Sequence, residues 1–107
     1  MMEWASGNIY IRPNKLEKVG DDREGHTHNF DHTTIFLKGS FHVEATLPNG
    51  ERIDRDFTAP SHCLIRADVK HKITALEAES EFWCVYSHRN AQGEIVQEWN
   101  GWESNYV

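Results

Sequence analysis

The sequence predicts an all-β fold, an antiparallel sandwich or barrel of short strands. Three observations carry this reading. Apolar and polar residues alternate with period two along most of the chain. Turn residues recur between these runs at short, regular intervals. The apolar content is concentrated in large rings, with four Trp, five Phe and three Tyr in 107 residues, which suits a compact β core. The length is that of one domain, spanning 1–107, whose core can stand without staples.

Taken in order, "IYI" at 9–11 reads as a short strand that stops at Pro13. The polar stretch "GDDREG" at 20–25 reads as loop, and "HTH" at 26–28 resumes the alternation. "TTIFLKGSFHVEATL" at 33–47 is rich in β-branched and aromatic residues, with a bend expected at Gly39. "PNG" at 48–50 signals a hairpin, and "ERIDRDF" at 51–57 returns with Ile53 and Phe57 set among charges. "APSH" at 59–62 breaks the run. "CLIRADVKHKITAL" at 63–76 gives two short strands around a turn near Ala67 and Asp68. "EFWCVYSH" at 81–88 is the strongest strand, and "NAQG" at 90–93 turns again. In the tail, Trp99, Trp102 and Tyr106 recur at helical spacing, yet Asn100 and Gly101 are poor helix residues. An irregular or one-turn segment is expected there, its rings packed on the outside of the barrel or on a neighbouring subunit.

The net charge of -6 and the scatter of eleven basic among seventeen acidic residues leave no basic patch for nucleic acid. No apolar run approaches eighteen residues and no secretory leader is recognisable. A soluble, cytoplasmic protein that engages no membrane is expected. Cys63 and Cys84 form no pair motif and read as small buried thiols.

The one concentrated chemical signal is "EGHTHNFDHTTIFLKG" at 24–39, with His26, His28 and His32 inside seven positions. On a strand, residues two apart share a face, so His26 and His28 aim the same way and can converge on one ion. His32 follows after a stretch long enough for a turn to bring it back. Spacing alone leaves three readings open: surface residues, hydrogen-bonded core residues, or ligands of a shared metal.

The larger frame resembles a known motif. Gly20, five residues, His26-x-His28, three residues, His32, six residues, Gly39 is similar to the first motif of the cupin superfamily, G-x5-H-x-H-x3,4-E-x6-G. His32 stands where Glu is common, as in four-histidine members. The second cupin motif, G-x5-P-x-G-x2-H-x3-N, resembles "IRADVKHKITA" at 65–75, with Arg66 in the Pro place, Asp68 in the Gly place, His71 in the ligand place and Ala75 in the Asn place. The resemblance covers about residues 20–88. It implies a jelly-roll barrel and one divalent transition metal (Fe, Mn, Ni, Cu or Zn) held by His26, His28, His32 and His71. His42, His62 and His88 are left over, and His88, closing its strand, is a candidate contact to metal ligands or substrate.

Four imidazoles are neutral donors, so the ion would keep its full charge and favour small anionic or phenolic substrates. If Phe82, Cys84 and Tyr86 face inward, Cys84 and Tyr86 lie near the metal and are the candidate catalytic groups, although core packing explains both as well. Arg66 is placed either to grip a carboxylate at the pocket mouth or simply to be solvated. The expected function is a dioxygenase-like oxidoreductase. An isomerase or lyase, a non-catalytic metal- or ligand-binding module, and a zinc-stabilised interaction protein use the same residues. The apolar start at Trp4, Ile9, Tyr10 and Ile11 suits a homodimer formed through an added edge strand.

Overall fold

A computed structural model of the chain describes residues 3–6, 8–25, 27–87, 89–90 and 92–95. Among the described residues, nine strands follow one another: β1 (Trp4–Ser6), β2 (Ile9–Leu16), β3 (Asp22–Gly25), β4 (His32–Lys38), β5 (Ser40–Thr46), β6 (Arg52–Thr58), β7 (Ser61–Ile65), β8 (Lys70–Ala75) and β9 (Ser80–Ser87). They form two antiparallel sheets, a five-stranded one in the order β1-β2-β9-β4-β7 and a four-stranded one in the order β3-β8-β5-β6. The chain changes sheet between β2 and β3, β3 and β4, β4 and β5, β6 and β7, β7 and β8, and β8 and β9. This is the all-β antiparallel architecture expected from the alternation and the turn spacing, and the jelly roll that the cupin resemblance implies.

The interior follows from the period-two pattern. On β4, His32, Thr34 and Phe36 are buried while their neighbours are not, and on β8 the same holds for His71, Ile73 and Ala75. A ring cluster joins the sheets. Phe36 lies 4.8 Å from Phe41 and 4.9 Å from Phe57, both of the opposite sheet, with Phe82 at 5.7 Å from Phe41. Leu16, Val43, Ile73 and Ala75 complete the core, with Cys63 and Cys84 packed against it.

Two strands depart from the sequence reading. β2 runs through Pro13 to Leu16 instead of stopping. Proline cannot donate to a ladder, but β1 pairs only with Ile9, Tyr10 and Ile11, so Pro13 lies past the reach of β1 and faces β9 alone. The polar stretch read as loop contains β3, whose Asp22, Arg23 and Glu24 are exposed along the edge of the smaller sheet. Charge on an edge strand discourages pairing with other chains, and pairing with β8 supplies the order that composition did not reveal.

The turns carry the expected chemistry. Gly39 has φ +89 between β4 and β5, and a Cβ there would fall 2.0 Å from the Ser80 hydroxyl oxygen. Only glycine meets both demands. Asp68, in the place of the second motif's glycine, adopts a left-handed φ of 63, which aspartate tolerates better than most residues. The aromatic tail and His88 lie outside the described residues.

Candidate metal centre

His32 and His71 approach each other from opposite sheets. His32 opens β4 and His71 lies on β8, both only 6% exposed, with ring centroids 5.4 Å apart. His28 precedes β4 and sits 5.7 Å from His32, edge to face. His26 lies outside the described residues. Three of the four histidines singled out from sequence therefore meet at one end of the barrel.

Two backbone-directed hydrogen bonds hold them there. The Asp68 N–H donates to the His28 carbonyl (2.7 Å) and the Ala67 N–H donates to the Asp31 carboxylate (2.7 Å). The segment before β4 is thus clamped to the turn before β8, which joins the two halves of the motif. Gly25 provides clearance: paired with His71 across the strands, it leaves the space in which a Cβ would come 2.0 Å from the imidazole Cε1. Replacing Gly25 with Ala is expected to push His71 out of place and to lower metal content nearly as much as removing His71, as read by elemental analysis.

The electrostatics favour neutral rings. Burial, reinforced by the neighbouring His71 and His28, pushes His32 down to about 4. Burial also lowers His71, with the Val69 backbone offsetting part of that. The His71 Nδ1 is buried and has no partner in hydrogen-bond geometry among the described residues. Neutral imidazoles are a donor set that a divalent transition ion takes. Metal–nitrogen bonds of about 2.0–2.1 Å place ligating rings roughly 5 Å apart, near the spacing observed. The rings are gathered but not closed on a common point: among the described residues, the group whose donor atoms all lie within 4.8 Å of one another is elsewhere. Rotation of the rings is needed to bring their nitrogens together.

The His32 shift makes acid sensitivity an expected property of the metal-free protein. The unfolded histidine takes up its proton near pH 6.5, the folded one only near 4. Between these values the unfolded state binds more protons, so stability falls as pH falls, by roughly 3 kcal/mol at most. Urea unfolding at pH 7 and pH 4.5 measures it, and His32→Gln should flatten the difference.

Tyr86 is the inward-facing aromatic of the site. Its ring lies 6.2 Å from His28, 6.3 Å from His32, 5.1 Å from Phe30 and 4.7 Å from Tyr10. Burial raises its pKa, so the phenol stays protonated. Cys84 shares that face but lies against Thr34 (4.0 Å) and the apolar core, where burial raises the thiol. A cavity of about 280 Å³ opens in front of His28, lined also by Tyr10, Phe30, Tyr86, Arg89 and Asn90. The Arg89 guanidinium lies 4.7 Å over the Phe30 ring and donates to the Gly93 carbonyl (3.0 Å), while its buried Nε finds no partner among the described residues. Arg89 was not singled out from sequence, because a lone arginine beside a turn carries no motif.

The group with mutually close donors is His42, Glu44 and Asp54, on the outer face of the smaller sheet. His42 is already hydrogen-bonded to Asp54 and Asp56, and Arg52 bridges Glu44 and Asp54. These exposed groups satisfy one another as a surface charge network.

No family model matches the sequence, and no curated protein does. Solved structures do match. An oxalate decarboxylase variant from Bacillus subtilis has a TM-score of 0.68 at 26% identity, covering 78% of this chain and 22% of that one. A second variant of the same enzyme reaches 0.69 at 26% identity over 86% of this chain and 24% of that one. The formate complex of the Lactobacillus farciminis oxalate decarboxylase gives 0.68 at 28% identity over 78% and 24%. This chain thus spans less than a quarter of the length of these proteins. Oxalate decarboxylases are cupins, and the likeness supports the cupin resemblance of the sequence and the jelly-roll fold. No helix is long and apolar enough to cross a membrane among the described residues.

Proposed function

We propose that the chain is a metal-dependent cupin that holds one divalent ion on His28, His32, His71 and, from the sequence motif, His26, and acts on a small anionic compound as a lyase of the decarboxylating kind. The observation that carries the metal reading is His71, a buried imidazole kept clear by Gly25 and facing His32 across the barrel. The likeness to decarboxylases favours the lyase reading over the dioxygenase-like one, which uses the same ligands. When bound, the ion supplies Lewis acidity and a fixed point for an anionic oxygen.

The chain's own residues account for the rest. The cavity before His28 admits a compact anion, and Arg89 provides a positive charge at its wall. Tyr86, kept protonated by burial, can donate a hydrogen bond or a proton to an intermediate. Phe30 and Tyr10 restrict water on that side. A homodimer through the free edge of the larger sheet at β1 fits the topology.

Elemental analysis of protein purified without added metal tests the centre, with about one ion per chain expected; its absence, with folding unchanged in chelator, sinks the proposal. Turnover of a panel of small carboxylates, followed by carbon dioxide release and oxygen consumption, separates the reactions. Carbon dioxide without net oxygen use supports the lyase. Net oxygen use in proportion to product replaces it with the dioxygenase, and silence across the panel replaces both with a binding module.

A further inference from the structure

A second, larger cavity opens between the sheets on the other side of the histidines. It measures about 480 Å³, and no described residue lines both cavities. Its floor is apolar: Val43 and Ala45 from β5, Ile65 from β7 and Val69. Ile65 pairs with His32 and Ala45 with His71, so in each pair the two side chains share the inner face. The cavity therefore reaches the back of the histidine cluster.

Its mouth lies at the sheet edges, at β6 and β7, where the wall changes character. The inner face of β6 reads Ile53, Arg55, Phe57, because these residues pair with Ala45, Val43 and Phe41, whose side chains turn to the interior. A charge stands in the middle of an apolar row. Arg55 is near enough for its charge to act on the half-buried Cys63 thiol opposite. Arg66, at the end of β7, lines the same opening. Four of the chain's six arginines are engaged: Arg12 by Glu3, Arg23 by backbone carbonyls, Arg52 by Glu44 and Asp54, and Arg89 by the Gly93 carbonyl. Only the guanidiniums of Arg55 and Arg66 make no hydrogen bond or ion pair to a described residue. In a chain of net charge -6, the two uncompensated guanidiniums face one apolar cavity.

We infer that this cavity binds a small anionic amphiphile, a carboxylate with an apolar body of medium length. The body lies along Val43, Ala45 and Ile65, and the anionic group rests on Arg55 and Arg66 at the mouth. A compact dianion such as oxalate has no apolar surface to offer and is not the ligand of this cavity. The site extends the metal-centre reading but stands without it, since none of the histidines lines it. An inward charge on an edge strand also guards against pairing with a second copy, so the experiment must separate the two roles.

Calorimetric titration of the full chain with decanoate, decylammonium and oxalate provides the test, with light scattering on the same samples. Decanoate is expected to bind at one per chain, and each methylene removed from it to weaken binding roughly fourfold. Decylammonium and oxalate should give no saturable heat at this site. Arg55→Ala and Arg66→Ala should each weaken decanoate about 5–10-fold. Ile53→Glu, at an exposed position, should abolish binding while the circular dichroism stays unchanged. Chelator-treated protein should still bind, so loss of the metal reading leaves this result standing. Decylammonium binding as tightly as decanoate, no decanoate heat from folded protein, or arginine variants that alter only the oligomeric state would overturn the inference.

Discussion

His71→Ala is expected to take metal content from about one ion per chain to background, while His62→Ala leaves it unchanged. The two histidines lie on neighbouring stretches of chain but on opposite sides of the wall. His71 is buried against His32, whereas His62 points outward from β7. Losing a residue that only supports a ligand typically costs 10–100-fold in metal affinity, so loss of a ligand should cost more than about 100-fold. Elemental analysis after dialysis against a weak chelator gives the readout, with thermal unfolding to confirm that both variants are folded. If the two variants retain metal equally, the ligand assignment is wrong.

The second large effect is on stability. Phe36→Ala should destabilise the protein by about 3–5 kcal/mol, a large share of the roughly 5–15 kcal/mol that holds a domain of this kind together. Phe36 is 1% exposed and brings the larger sheet against both Phe41 and Phe57 of the smaller one. Its removal leaves a void between two sheets that cannot close without moving both. Leu64→Ala, at a residue 56% exposed, should cost less than about 0.5 kcal/mol. Urea unfolding of both variants decides it, and equal effects would place the core elsewhere.

The architecture was legible because burial and sequence share one period. Thr34 and Phe36 follow His32 inward, Ile73 follows His71, and Phe82 and Tyr86 line up on the inner face of β9, as alternation requires. Gly39 was legible for a different reason, since only glycine fits against Ser80 at that φ. What stayed hidden depends on partners distant in the chain. Pro13 looked like a stop because the sequence does not show that β1 ends before reaching it. Asp22, Arg23 and Glu24 looked like loop because an edge strand needs no apolar face. In the site, the histidines announced themselves by spacing. Arg89 and the Asp68 bond to the His28 carbonyl did not, because a guanidinium over a ring and a backbone N–H leave no pattern in a string of side chains. The second motif kept only its histidine as a string, yet its turn is realised by an aspartate in the left-handed conformation.

The clamp between the His28 carbonyl and the Asp68 N–H also governs when the site comes into being. His28 and His32 are neighbours in the chain, but β4 to β7 must all be laid down before His71 can reach them. The flanking pair β2 and β9 joins nearly the two ends of the described chain. Such distant pairings form slowly, and His71 joins the other two imidazoles only once β8 is in place. An ion offered to the unfolded chain meets only the ligands close in sequence, His26, His28 and His32, without His71. The complete set of four therefore requires the folded barrel. An ion held by these residues would bind the finished barrel and so act as a brake on unfolding.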